Sequence, residues 1–584
     1  MTIFKRVADE IEKAVKTINA DADISRMTVE TPRDPSHGDL ATNAAMLIAK
    51  PMGMNPRELA QKIIDTLSTS EIFESLEIAG PGFINMRLTP QSLCLDVKTC
   101  LETGTKFGEV NVGNGEKVNI EYVSVNPTGP MHAGHVRGAV VGDTLASLLS
   151  KAGYDVTKEY YFNDAGKQIE VLAHSTYLRY KEALGENIGE IAEGLYPGDY
   201  LKDVAKALIE KDGDKWFNAD EAEWYEPVKD FAVKTIIELI REDLKLINIE
   251  HDVFTNERVL IENGTLDKSF KFLEDKDLIY TGTLPPPRGK EMEDWEPVPL
   301  TLFRSSNFGD DVDRPLKKRD GTWAYIMPDI AYHYDKIQRG FNLMINLLGK
   351  DHGGYEQRIG PVVDAFSDGK ASLKVVYNGM VKVLKNGVPV KLSKRSGNLI
   401  TLREMVEEVG ADAVRFFMMT RTPDSELEFD FTKVIEQSKD NPVFYVQYAH
   451  ARCCSVMRHA ADMFDAANIT DEKLAQVDMS VLGEAELDVV KVLINWPRIV
   501  EQAAQAFEPH RVAFYLQDVA AAFHSWWNKG KDDTTLRFLQ EDKKDLTLAR
   551  LAVVRAVATT IASGLDVLGV EPMEEMRSEV SDAA

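Results

Sequence analysis

The chain has 584 residues, 44% hydrophobic and 28% charged, which at roughly 150 residues per domain means several cores and excludes wholesale disorder or a low-complexity fibre. Its formal net charge is -26, from 68 Lys and Arg against 94 Asp and Glu. Taken alone, that balance argues against a nucleic-acid binder, because a phosphate backbone is usually met by a basic surface. Four cysteines, Cys94, Cys100, Cys453 and Cys454, supply neither a disulfide framework nor the paired spacing of a zinc site. Adjacent Cys453 and Cys454 read as small packing residues.

The opening segment, Met1 to Ile18, is a charged amphipathic helix pattern and not the apolar core of a signal peptide. No run reads as the ~18 apolar residues of a membrane helix. These features lead us to expect a reduced, cytoplasmic, multidomain protein without a membrane. Helical period follows at Leu59–Leu67, and Leu76–Arg87 reads as two short strands around Pro81-Gly82. The first ~105 residues therefore form a small α+β unit, and the polar, Gly-rich stretch Gly108–Lys117 is a linker.

Val118–Val125 is a β-branched run ended by Asn126-Pro127-Thr128-Gly129-Pro130. A helix begins at about His132, with an apolar stripe of Val136, Ala139, Val140, Leu145, Leu148 and Leu149, and ends near Lys151-Ala152-Gly153. Val156–Phe162 reads as the next strand. Strand, turn, helix, strand is a βαβ unit and implies a parallel sheet. Residues from about 170 to 300 are charged and helical, broken by Pro285-Pro286-Pro287, and read as an insertion. Strand patterns return at Phe341–Leu348 and Leu373–Tyr377. From Asn441 onward the pattern is helical, over Val443–Met457, Leu482–Phe507, Arg511–Trp527 and Leu546–Leu568, a separate bundle.

Two constellations carry chemistry. Pro130-Met131-His132-Ala133-Gly134-His135 sits where a parallel strand gives way to a helix N-terminus, the ligand side of an α/β sheet. Two imidazoles flanking a glycine can reach one anion, and the helix amides and dipole add attraction for phosphate. The plainer alternatives are a metal pair or two solvated histidines. The second is Lys391-Leu392-Ser393-Lys394-Arg395-Ser396-Gly397-Asn398, a basic loop able to close over a triphosphate, or else a solvated turn.

HAGH (132–135) with KLSKR (391–395) resembles the HIGH and KMSKS signatures of class I aminoacyl-tRNA synthetases. The segments around them are similar to those of the arginyl-tRNA synthetase family: EYVSVNPTGPMHAGHVRGAVVGD (121–143), EYYFNDAGKQIE (159–170), NFGDDVDR (307–314), DGTWAYIMPDIAYH (320–333), DNPVFYVQYAHAR (440–452) and EPHRVAFYLQDVAAAFHSWW (508–527). HGDLATNAAMLIAK (37–50) and PGFIN (81–85) resemble that family's extra N-terminal domain. The resemblance runs from about residue 5 to 573. It implies a Rossmann-like parallel-sheet catalytic domain at 116–400 with an insertion at about 171–300. It also implies an α+β N-terminal domain at 1–108, a connecting segment at 401–440, and an all-α anticodon-binding domain at 441–584.

The resemblance further implies activation of L-arginine with ATP, carried with Mg2+ as substrate, to arginyl-adenylate and pyrophosphate, then transfer to the 3′-terminal adenosine of the arginine tRNA. No tightly bound cofactor, no metal among the site residues and no structural zinc are expected, and the family implies a monomer. Carried over, His132, His135, Lys391 and Lys394 are catalytic. Pro130, His132, Gly134, His135, Asp351, His352, Lys391, Ser393 and Lys394 bind ATP. Glu121, Ser124, Asn126, His135, Tyr325 and Asp329 bind arginine, whose planar, five-donor guanidinium needs forked carboxylate partners. Tyr325 and Asp329 are four apart and would share one face of a helical turn; Asp329 also reads as a first-turn acid beside Pro328. The sequence departs from the family pattern at Lys350, Gly353 and Pro328. Phe83, Asn85, Tyr445, Gln447, Tyr448, Arg452 and Trp527 are expected on tRNA, while Phe444 and Trp526 read as core.

Three rivals stand beside this reading: another class I enzyme such as the cysteinyl one, an HxGH nucleotidyltransferase, and a non-catalytic tRNA-binding paralogue. The first lacks its zinc-binding cysteines here, the second leaves the bundle unexplained, and the third has no need of both histidines and both lysines. From Asn441 onward, 14 Lys and Arg stand against 22 Asp and Glu. A tRNA site there must therefore be a local basic and aromatic surface, with the acid on another face.

Overall fold

The computed structural model describes residues 2–32, 34–284, 298–390 and 400–576. Its strands, in chain order, are β1 Val29–Glu30, β2 Leu40–Thr42, β3 Phe73–Ala79, β4 Phe83–Leu88, β5 Lys117–Glu121, β6 Asp155–Phe162, β7 Val253–Asn256, β8 Ile279–Gly282, β9 Leu300–Phe303, β10 Arg314–Pro315, β11 Leu343–Gly349, β12 Ser372–Asn378, β13 Val381–Lys385, β14 Val388–Pro389 and β15 Leu427–Asp430.

The opening helix Ile3–Ile18 buries Ile3, Val7, Ile11, Ala14 and Val15, the i, i+4 stripe its sequence encodes. It packs with a four-stranded antiparallel sheet of order β1-β2-β4-β3. β3 and β4 form the hairpin expected around Pro81-Gly82, but β3 starts earlier, at Phe73. β1 and β2 have two and three residues, too few for an alternation to register in the sequence.

The central sheet has the order β12-β11-β5-β6-β7, all neighbours parallel. The βαβ unit of β5, the helix Ala133–Lys151 and β6 supplies its middle. Strand β5 stops at Glu121, although the β-branched run continues to Val125. Val123 and Ser124 take φ values of +69° and +43°, and the Ser124 N–H donates to the Tyr122 carbonyl at 3.0 Å. That is a tight positive-φ turn at a β-branched residue, a strained conformation.

The segment expected to be a helical insertion over 171–300 proves only partly so. Helices Lys167–Ala183, Tyr200–Asp212 and Glu221–Lys245 pack on each other with a small aromatic core of Tyr180, Trp216 and Trp224. The chain then returns to the main sheet as edge strand β7, and β8, β9 and β10 form a second, antiparallel sheet. β7 is only four residues long and charged on both flanks, so it left no strand signal.

The bundle comprises Pro442–Met463, Glu484–Leu493, Trp496–Ala506, His510–Asp532 and Lys544–Leu568. The helix expected over Leu482–Phe507 is two, broken at Ile494-Asn495 before Pro497, which takes a first-turn position. Lys544–Leu568 corrects another expectation: it is long and apolar enough to cross a membrane by composition, yet most of it is buried inside the molecule. A single hydrophobic core extends from the opening helix through the central sheet into this helix.

Candidate active site

In a parallel sheet, ligands bind beyond the carboxyl ends of the strands where the strand order reverses. Here that point lies between β5 and β11, since β5 leads outward to β6 on one side and pairs with β11 on the other. The strained turn after β5 delivers the residues that follow into this crevice. The Ser124 hydroxyl accepts from the Tyr161 N–H at 3.1 Å, and the Tyr160 hydroxyl donates to the Val125 carbonyl at 2.8 Å. Asn126 accepts from the Asn163 N–H at 3.2 Å and donates to Gln168 at 3.0 Å.

The Pro130 segment then leads into the helix Ala133–Lys151, whose N-cap is His132. Its Nδ1 accepts from the Gly134 N–H at 3.2 Å, and Nδ1 of His135 accepts from the His132 N–H at a long 3.5 Å. The two rings stack with centroids 3.6 Å apart. Each Nδ1 acts as an acceptor, which selects the Nε2–H tautomer of both imidazoles. The exposed Gly134 and the positive end of the helix dipole complete an anion-ready corner.

Lys391, Ser393 and Lys394, expected to bind ATP and act in catalysis, lie outside the described residues. The chain on either side of them is placed: the Val390 N–H donates to the Val383 carbonyl at 2.9 Å, the Ala133 N–H to the Ile400 carbonyl at 3.0 Å, and the Leu402 N–H to the Met131 carbonyl at 2.9 Å. Thr401 bridges to His132. Backbone hydrogen bonds therefore hold residues 400–402 beside the first signature.

Beside this corner is an acidic pocket. Glu121, buried at the end of β5, takes a 2.8 Å hydrogen bond from Lys336, which is itself fully buried. Asp329 lies in the first turn of the helix Met327–Gln338. Burial pushes its carboxyl up to about 7, aided by the nearby Glu121 and Glu257 charges and opposed by the Tyr355 hydroxyl, which donates to it at 3.4 Å. Glu257 accepts from the Tyr161 hydroxyl at 2.7 Å and the Asn163 amide at 2.9 Å. Burial raises its carboxyl as well. Glu121 and Glu257 are near enough to Asp329 to raise its carboxyl, with Lys336 held on Glu121, a concentration of carboxyl groups that would attract a cation.

Tyr325 does not share a helical face with Asp329 as its spacing suggested. The helix starts only at Met327, and Tyr325 precedes it with 94% of its surface exposed. Asp351 and His352 lie just beyond β11, both exposed, with Nε2 to Oδ2 at 3.7 Å. Glu257, Lys336, Tyr161 and Tyr355 were not among the expected site residues, although Tyr161 lies in the family-like segment 159–170. Strand β7 ends at Asn256, so recognising that strand would have pointed to Glu257.

In the bundle, the Arg452 guanidinium lies 4.0 Å from the Tyr448 ring centroid and 4.6 Å from that of Trp527. It also donates to the Tyr448 hydroxyl at 2.9 Å. The Tyr445 ring lies tilted against that of His524, with centroids 4.6 Å apart. Gln447 is a correction: it is buried, donating to the Glu571 carbonyl and accepting from the Met573 N–H, both at 2.8 Å. Its amide holds the segment 571–573 against the bundle. Trp526 is core, as read, while Phe444 is only half-buried against Tyr448. Phe83 and Asn85 alternate onto the more open face of β4.

The chain is similar to known protein families along nearly its whole length. Residues 5–88 match the arginyl tRNA synthetase N terminal domain, 96–437 the catalytic domain of tRNA synthetases class I (R), and 446–576 the DALR anticodon binding domain. A curated arginine–tRNA ligase from Parvibaculum lavamentivorans is 53% identical over 99% of this chain and the whole of its own length. The chain belongs to the arginyl-tRNA synthetase family. The Rhodospirillum rubrum arginine–tRNA ligase is 50% identical over the same share of this chain and all of its own. The arginyl-tRNA synthetase structure from Thermus thermophilus shares the fold with a TM-score of 0.71 and 20% identity, covering 98% of this chain and 100% of that one.

Proposed function

We propose that this chain ligates L-arginine to the 3′-terminal adenosine of its cognate tRNA, using ATP. The observation that carries the reading is the acidic pocket of Glu121, Asp329 and Glu257 beside the His132–His135 anion corner. One end of the crevice suits a guanidinium and the other a phosphate.

In the first step a carboxylate oxygen of arginine bonds to the α-phosphorus of ATP and the bond to the bridging oxygen breaks, releasing pyrophosphate. Such a step needs in-line placement and charge neutralisation more than covalent help from the protein. His132 and His135 donate from Nε2 to phosphate oxygens, Pro130 and Gly134 leave room for the nucleotide, and Asp351 and His352 border it. Lys391, Ser393 and Lys394 take up charge on the departing pyrophosphate. Asp329, Glu121 and Glu257 bind the guanidinium, with Tyr325 at the pocket mouth. Ser124, Asn126 and His135 orient the other end of the amino acid. In the second step a ribose hydroxyl of the tRNA attacks the arginyl carbonyl and AMP leaves.

ATP enters as its Mg2+ complex, and the protein itself works as a cytoplasmic monomer with no tightly bound cofactor or zinc. Phe83 and Asn85 meet the tRNA body, and Tyr445, Tyr448, Arg452 and Trp527 meet its anticodon loop, where unstacked bases accept aromatic partners. The division at 1–108, 116–400, 401–440 and 441–584 assigns these tasks. ATP–pyrophosphate exchange with the purified chain tests the reading: it should need arginine and cognate tRNA. Exchange driven by another amino acid, or none under any condition, would overturn it.

A further inference from the structure

Arg415, in the helix Ala411–Met418, is completely buried, and each arm of its guanidinium ends on a different part of the molecule. Nε donates to the Leu568 carbonyl at 2.6 Å, Nη1 to the Ile247 carbonyl at 2.6 Å, and Nη2 to Asp143 Oδ2 at 2.7 Å. Leu568 ends the buried bundle helix, whose last carbonyls carry partial negative charge. Ile247 lies just past the end of the insertion's helix Glu221–Lys245. Asp143 lies midway along the helix capped by His132.

The contacts continue from Asp143 into the crevice. Its other oxygen accepts from the Tyr122 hydroxyl at 3.2 Å and from Lys158 at 3.1 Å. Tyr122 stands between Glu121 of the acidic pocket and the strained turn that presents Ser124 and Asn126. Its ring lies so close to the helix that a Cβ added at Gly142 would fall 2.3 Å from it. At the far end, Gly569 follows Leu568 with φ +65°, and a Cβ there would fall 2.3 Å from Arg415 Nη2. Neither end has slack.

We propose that Arg415 is a positioning residue that couples the C-terminal end of the bundle to the crevice, so that the seating of the bundle sets the pose of Tyr122, the turn after it and the His132 helix. The proposal rests on the functional reading above. It needs no contact between Arg415 and any substrate, and a role confined to stability would not produce the pattern it implies.

The test uses the full chain with Arg415→Lys, Gly569→Ala and the double variant. Aminoacylation kcat, KM for tRNA, tRNA Kd and thermal midpoint are read for each. Arg415→Lys keeps the charge but cannot make three separate contacts; Gly569→Ala displaces the guanidinium from outside and serves if the first variant does not fold. The expected result is a kcat at least tenfold lower in each single variant, tRNA Kd and KM within twofold of the parent, and a double variant no slower than Arg415→Lys. Unchanged kcat with a lowered midpoint, loss of kcat in step with tRNA binding, or additive losses would each overturn the proposal. A parent chain with no arginine-dependent activity would instead overturn the functional reading, and the coupling with it.

Discussion

Asp329 shows how one side chain can trade stability for recognition. Burial pushes its carboxyl up to about 7 in the folded protein, against an ordinary value near 3.9. The folded state therefore binds this proton more tightly than the unfolded chain does. Stability falls as pH rises from about 4 to 7, by up to about 4 kcal/mol. Asp329→Asn should raise the thermal midpoint at pH 8 and leave it nearly unchanged at pH 4. A docked guanidinium favours the ionised form, so binding below pH 7 must release a proton. Calorimetric arginine affinity should tighten by about fivefold from pH 6 to 7 and by at most about twofold more above, and Asp329→Asn should abolish both the binding and its slope.

His132 allows the two duties of a cap to be separated. Asparagine is a good N-cap, so His132→Asn should hold the Gly134 amide and keep the thermal midpoint within a degree or two. It removes the Nε2–H donor, and kcat should fall by about 10²-fold, the usual effect of losing one donor to developing charge. Both histidines were legible because a short motif fixes their spacing. Glu257 and Lys336 were not, because they reach the pocket from elements distant in sequence and only the fold brings them together.

At the scale of elements, the buried pair Lys336–Glu121 joins a helix to the end of β5, and its members are not equivalent. Lys336→Met strands a buried carboxylate and should cost about 3–5 kcal/mol in urea unfolding. Adding Glu121→Gln should restore part of that stability but no arginine activation. A double variant no more stable than Lys336→Met would refute this account. The same level shows where sequence reading works. Long periodic segments such as Ala133–Lys151 declared themselves through their stripes. The end of β5 did not, because Val123 and Val125 favour a strand and tertiary contacts force a turn on them. β7, four residues long, was swallowed by the helices before it. Tyr325 failed for a related reason: a spacing of four has meaning only inside a helix, and this one begins two residues later.

At the scale of the whole molecule, the net charge of -26 sets the average field and says little about the site where RNA lands. If the stacked Tyr448–Arg452–Trp527 group belongs to a local basic and aromatic surface, the logarithm of tRNA affinity should fall with the logarithm of salt concentration despite that charge. Arg452→Ala should then weaken binding by about tenfold and flatten the slope by nearly one charge. A salt-independent affinity would rule out the surface. The order of parts was readable along the chain because each follows its own period. Their mutual seating was not, since it depends on single contacts such as Arg415 to Leu568.

Trp496 bears on how the protein can be dissected. Its indole nitrogen donates to the Phe107 carbonyl at 2.9 Å and to the Ser563 hydroxyl at 3.0 Å, pinning the segment after the first α+β unit onto the most apolar helix of the bundle. Cys100 reaches that helix too, at the Ala556 carbonyl. No seam is therefore left along which to cut. A fragment starting at Asn441 would bare a stretch of Lys544–Leu568 greasy enough for a bilayer and should precipitate when expressed alone. Chimeras that exchange anticodon modules between relatives will need to carry the matching N-terminal partner with them.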